Sequence, residues 1–144
     1  MARKKVFVSF DYEDDKHYKY LLEAWDANDD FDFVFSDKTP TEINSENVGH
    51  LKAGLTSKIK EATHTLVIVG KEANKRHKDH ALIGYRNWIN FEIAKSIELG
   101  KKLAAVRLES DYELPDEIFE GDYAIVTGYS EANVIDVLDR APSN

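Results

Sequence analysis

Apolar residues fall into short runs of strand length, alternating with segments in which they recur every three or four positions. The first run, Lys5 to Phe10, carries Val6, Val8 and Phe10 and reads as a buried strand. Asp11 to Asp15 supplies helix-start residues, after which Tyr18, Leu21, Leu22 and Trp25 mark one helical face that Asn28 to Asp30 ends. Phe31 to Phe35 predicts a second strand. Ser36 to Asn47 is polar, contains Pro40, and is long for a connection, a feature often tied to function. Val48, Leu51, Leu55, Ile59 and Ala62 predict a helix despite Gly54. His64 to Val69 predicts a third strand, stopped by Gly70, and Lys71 to Gly84 a second long polar loop. Ile89, Ile93 and Ile97 place a helix over about Tyr85 to Leu99, with Gly100 where a left-handed cap belongs. Leu103 to Leu108 and Tyr123 to Val126 predict the last two strands, separated by Pro115 and a short amphipathic turn. Val134, Ile135, Val137 and Leu138 line a final helix, and Ala141 to Asn144 is expected to fray.

This alternation predicts one α/β domain over residues 1–144, with a parallel sheet and helices on both faces. Right-handed crossovers favour a flavodoxin-like three-layer sandwich with five strands in the order 2-1-3-4-5. Ligands of such sheets bind beyond the carboxyl ends of the strands, at the switch between strands one and three. Ser9 to Asp15, Asp37 to Asn47 and Gly70 to Trp88 are expected at that edge.

Composition narrows the chemistry. The 144 residues are 42% hydrophobic and include no cysteine, which removes disulfides, thiolate metal sites and a cysteine nucleophile. No signal peptide or membrane-spanning run is read, so a cytoplasmic location is expected. A net charge of −8 disfavours nucleic acid and anionic membranes as partners. The local basic cluster Lys71, Lys75, Arg76, His77 and Lys78 reads mainly as a solvated loop, with an anionic small molecule as the alternative.

Familiar loops are missing. Phe10-Asp11-Tyr12-Glu13 follows the first strand with no glycine, so no dinucleotide fingerprint is present, and no phosphate-binding Walker loop exists. Asp11, Asp14 and Asp15 suggest the magnesium site of a phospho-receiver, but the third strand ends Val69-Gly70-Lys71 without an acceptor aspartate. A helix N-terminus explains that acidic cluster better. His77 and His80 have loose metal spacing and no third partner, so no metal site is expected.

What remains is the segment Tyr85 to Ile93. Trp88 and Glu92 lie four apart on one helix face, beside the buried face of Ile89, Ile93 and Ile97. Glu92 is thereby expected at a border between core and cleft, partly desolvated and with its charge strengthened. Lys5-Val6-Phe7-Val8-Ser9-Phe10 followed by an acidic residue resembles the opening strand of TIR domains. Trp88-x-x-x-Glu92 followed by an apolar residue resembles the TIR helix motif that carries the catalytic glutamate of NAD-cleaving members. The segment from Asn87 to Glu92, then Gly100-Lys101-Lys102 before a Val-rich strand, looks closer still to the TIR-like proteins of Thoeris antiphage systems. Ile89 stands where the motif often has cysteine, and the loop after the second strand lacks the Arg-Asp-x-x-Pro-Gly pattern of animal adaptors.

The resemblance implies cleavage of the nicotinamide–ribose bond of NAD+, with Glu92 as the catalytic residue. NAD+ is then a substrate, and no cofactor is implied. It further implies an ADP-ribose-derived signalling nucleotide read by a separate effector, and self-association on activation. Ser9 and Asp11 are candidates to line the ribose or phosphate region. Phe10, Tyr85 and Trp88 are candidates to stack on nicotinamide or adenine, and Arg86 or the Lys71 to Lys78 cluster to meet the diphosphate. The alternative is a non-catalytic scaffold acting through homotypic association.

Overall fold

A computed structural model describes residues 4–11, 17–18, 21–22, 33–35 and 47–144. The strands are β1 (Lys4–Ser9), β2 (Phe33–Phe35), β3 (His64–Val69), β4 (Lys102–Arg107) and β5 (Ala124–Thr127). The helices are α1 (Val48–Glu61), α2 (His80–Ile83), α3 (Trp88–Glu98) and α4 (Glu131–Arg140), with a 3-10 turn at Asp116–Glu120. His17, Tyr18, Leu21 and Leu22 are also helical. The chain is therefore an α/β protein with a parallel sheet flanked by helices.

All pairings are parallel, and the strands lie in the order β2-β1-β3-β4-β5. Ser9 pairs with Val67, and Val67 with Ala105. Because side chains alternate along a strand, each strand feeds two cores. Val6, Val8, Leu66, Ile68, Ala104 and Val106 pack with Leu22 and with Val134, Val137 and Leu138 of α4. Phe7 faces the other way, against Leu55 and Ile59 of α1 and Phe91 of α3. Val67, Val69, Leu103 and Ala105 meet Ile89 and Ile93 of α3 and Ile118 of the 3-10 turn. Covered on both faces, β3 is buried along all six of its residues.

Local chemistry sets the element ends. Asn47 caps α1 by accepting from the His50 amide at 3.0 Å. Gly84 ends α2 in the left-handed conformation, φ 85°, where a side chain would be strained. The helix expected from Tyr85 begins at Trp88, because Asn87 is extended and serves as its cap. The expected 71–84 loop contains α2, too short a helix for its periodicity to register. The tail expected to fray is instead tied down. Leu103 donates its amide to the Pro142 carbonyl, and Asn144 bonds the carbonyls of Lys101 and Asp122. Trp25, Phe31 and the 36–46 part of the long connection lie outside the described residues. Among the described residues no helix is long and apolar enough to cross a membrane.

The layer over β1, β3 and β4 depends on α3. Ile93 has no exposed surface, so Ile93→Ala is expected to cost about 2–5 kcal/mol in urea unfolding. Exposed Leu82→Ala should stay within about 0.5 kcal/mol of the parent.

Candidate active site

Glu92 lies on the sheet-facing side of α3, two per cent exposed. Its Oε1 accepts a 2.7 Å hydrogen bond from the hydroxyl of Ser9, the last residue of β1. Strand alternation accounts for the meeting, since Ser9 shares the face of Phe7 that α1 and α3 cover. One turn below, Ser96 donates to the Glu92 carbonyl at 2.7 Å and lies 2.7 Å from Thr65 of β3, so a buried hydroxyl pair ties α3 to the sheet.

Burial changes the charge expected of this carboxylate. Removal from water pushes Glu92 up to about 8, with the Ser9 hydrogen bond acting in the opposite, smaller sense. The expectation of a strengthened negative charge is therefore corrected: complete rather than partial desolvation makes the neutral acid the resting form near neutrality. Glu98, on the same helix, is exposed and pairs with Lys95 at 2.8 Å.

The other candidate residues are not all gathered around Glu92. Phe10 is buried in the opposite core with Val6, Val8 and Leu66, because it falls one residue out of phase with Ser9. Asp11 is half-buried. Tyr85 and Trp88 are half-buried against the Phe7–Leu55–Phe91 core, and each ring meets Phe91 edge-on, at 6.0 and 5.7 Å. Arg86 is exposed, and its Nε donates to the Asn74 carbonyl. His77 accepts from the Asp79 amide through Nδ1. Among the described residues no group of three His, Asp or Glu side chains is placed to hold a metal.

Three asparagines that were assigned no role from sequence hold the start of α3. Asn87 caps the helix and donates to the carbonyls of Ala73 and Lys75, each at 2.9 Å. Asn90, with no exposed surface, donates to Asn74 and Asn87 and accepts from the Glu117 amide. Asn74 donates to Glu113 and Asp116 and accepts the Asp116 amide. Every amide hydrogen and oxygen of the trio is bonded. The network joins the 70–79 loop, α3 and the 3-10 turn. The signal available in sequence was a polar Asn90 set among Ile89, Phe91 and Ile93, on the face that had to be core.

Glu92 lines neither of two grooves formed by the described residues. One, of about 530 Å³, lies between α1 and α3 and is lined by Lys52, Lys60, Lys95, Tyr85 and Phe91 among others. The other, about 730 Å³, lies past the carboxyl ends of β3, β4 and β5 and is lined by Lys71, Leu108, Tyr112 and Tyr129 among others.

An α/β sheet with a buried glutamate against the end of its first strand defines a class; the sequence places the chain within it. Residues 7–113 match the family described as Thoeris protein ThsB, TIR-like domain. The chain belongs to that family of TIR-like proteins, associated with Thoeris antiphage systems. No curated protein matches the sequence. Among the solved structures that match is a 2-desoxiribosyltransferase from Leishmania mexicana, 12% identical, with a TM-score of 0.59, covering 95% of this chain and 98% of that one. That likeness concerns the fold alone.

The Glu92 environment has a consequence for stability. Its folded pKa lies above the unfolded value, so its contribution is greatest below about pH 4.5 and is lost as pH rises toward 8. The proton taken up on folding at pH 7 corresponds to roughly 3 kcal/mol. Glu92→Gln carries no such proton. Relative to wild type, its unfolding free energy should rise by roughly that amount between pH 4 and pH 7 in parallel urea titrations. Parallel curves for the two proteins would contradict the assignment. Asn90→Ala leaves the half-buried Glu117 amide without its acceptor and removes one of the two donors to the Asn74 oxygen, and is expected to cost about 1–3 kcal/mol.

Proposed function

We propose that this TIR-like chain cleaves the nicotinamide–ribose bond of NAD+ at Glu92 and makes an ADP-ribose-derived signalling nucleotide for antiphage defence. The observation that carries the reading is the Ser9–Glu92 contact, which sets a desolvated carboxyl at the carboxyl end of β1, where sheets of this kind bind ligands. Family membership supports TIR-type signalling, and the expected flavodoxin-like strand order fits it.

In the reaction the bond from ribose C1′ to the pyridinium nitrogen breaks. Its electron pair neutralises the departing nicotinamide, which needs no proton, and positive charge develops on the ribose as in glycoside hydrolysis. Ionised Glu92 beside that ribose stabilises the developing charge. The resting acid is largely neutral near pH 7, and the cationic pyridinium favours its ionisation, so substrate binding below pH 8 is coupled to proton release. Ser9 holds the carboxylate oriented in both states. Capture of the ribosyl cation by water gives ADP-ribose and a proton; capture by a group of the same molecule gives a cyclic product.

NAD+ is the substrate, and no resident cofactor or metal enters the scheme. A separate effector reads the product, the net charge of −8 leaves nucleic acid and anionic membranes aside, and the protein acts in the cytoplasm. Self-association accompanies activation. The scaffold alternative draws on exposed apolar side chains, Leu82 at 66% and Phe119 at 64% exposure, that a second copy would cover.

Purified protein incubated with NAD+ under activating conditions is expected to release nicotinamide, with kcat/KM rising with pH toward about 8 as Glu92 ionises. Glu92→Gln should lower kcat roughly a hundred- to thousandfold while remaining folded, and Glu98→Gln should match wild type. Equal turnover by wild type and Glu92→Gln would remove the enzyme reading and favour the scaffold.

A further inference from the structure

Arg107 ends β4 with its side chain unaccounted for. Among the described residues its Nε is the only buried side-chain nitrogen or oxygen without a hydrogen-bond partner. The described ion pairs join Lys5 and Lys58 to Glu61, Lys95 to Glu98 and Arg140 to Asp136; none includes Arg107. A guanidinium carries five donors in a planar fork suited to phosphate, and burying one without an acceptor is costly. Orphaned buried donors are rare enough that each one calls for an explanation.

Its position supplies one. Arg107 pairs with Val69 at the carboxyl end of the sheet. It lies two residues past Ala105, which faces α3, so alternation puts it on the same sheet face as Ser9 and Glu92. Ser9, Val67 and Ala105 are successive register partners, which sets Arg107 about 12 Å from Ser9 by ordinary sheet spacing. The groove at this edge does not include Arg107 itself; it is lined by the next residue, Leu108, whose side chain packs on the opposite core, by Glu109, and by Lys71, which is exposed and outside every described ion pair. Its Tyr112 wall packs on the core under α3, while its Tyr18 and Tyr129 walls pack on the opposite core, so the groove straddles the edge of the sheet.

We propose that Arg107, with Lys71, forms the diphosphate subsite of this protein, recognising a nucleoside diphosphate whose sugar end extends toward Glu92. The assignment rests on the NAD+ reading for the identity of the ligand, and replaces Arg86, which is engaged by Asn74, as the diphosphate contact. Arg107 binds through its fork and Lys71 as a point charge.

The test is calorimetric titration of ADP-ribose, with ADP and inorganic pyrophosphate as second and third probes, into wild type, Arg107→Gln, Arg107→Lys and Glu98→Gln. Melting curves establish that each variant is folded. ADP-ribose should bind wild type and Glu98→Gln alike, bind Arg107→Gln about ten- to hundredfold more weakly, and bind Arg107→Lys in between. With NAD+, Arg107→Gln should raise KM by the same factor and leave kcat near wild type. With nicotinamide riboside, which lacks the diphosphate, it should change neither. Wild-type affinity in Arg107→Gln, or no binding of any probe to wild type, overturns the subsite and leaves Arg107 as an arginine hydrated at the sheet edge. Arg107-dependent ADP-ribose binding without NAD+ cleavage would keep the subsite while the cleavage reading fails. Cleavage with an unchanged KM in Arg107→Gln would do the reverse.

Discussion

The closed set of amide hydrogen bonds among Asn74, Asn87 and Asn90 fixes where α3 begins, and the position of every candidate site residue on that helix follows from it. Helix propensity does not set this start, since the periodic pattern runs back toward Tyr85. Asn87 instead adopts an extended backbone and turns its side chain on the Asn90 amide. Asn90 in turn reaches across to Asn74 and to the Glu117 amide. Such a network, fully satisfied, is rigid because displacing any member leaves buried donors or acceptors unmet. Glu92 follows Asn90 by two residues. A helix start displaced by one residue would rotate it by about 100°, away from Ser9.

Held there, Glu92 is a costly residue. An ordinary surface glutamate gains nothing from neutrality, whereas this one must take up a proton to fold near pH 7. A core selected for stability alone would place an apolar or amide side chain at this point. A high-pKa acid fixed by one hydroxyl is instead a group whose charge is released by whatever cation approaches it. This links energetics to the proposed chemistry: the cost lies in desolvation, and in the proposed reaction a pyridinium ligand would offset it. The half-exposed Arg107 guanidinium is the counterpart of opposite sign at the same sheet edge, with a buried, unpartnered Nε suited to an anion.

Much of this was legible in the chain. Alternation along Lys5 to Phe10 and the spacing of Ile89 and Ile93 were enough for an α/β sandwich with a parallel sheet, because period is what burial imposes on sequence. Ser9 and Glu92 were both candidates, and their contact follows from face and register. Phe10 was misplaced because adjacency in sequence was read as adjacency in the cleft, although a strand sends neighbours to opposite faces. The degree of burial at Glu92 was not legible, since it depends on how closely α3 lies on β1. The same holds for Asn74, whose partners Glu113 and Asp116 lie about forty residues away, and for Arg107, which local patterning presents only as the end of a strand.

The protonation state of Glu92 is the property on which the proposed chemistry most directly depends. Carbon-detected NMR of protein labelled at the glutamate side-chain carboxyl carbons, with Glu92→Gln to assign the resonance, would follow its titration in the folded protein. The expected midpoint is near 8, moving to lower pH when a nicotinamide-bearing cation is bound. A midpoint near the ordinary glutamate value of about 4.3, unmoved by that cation, would contradict it.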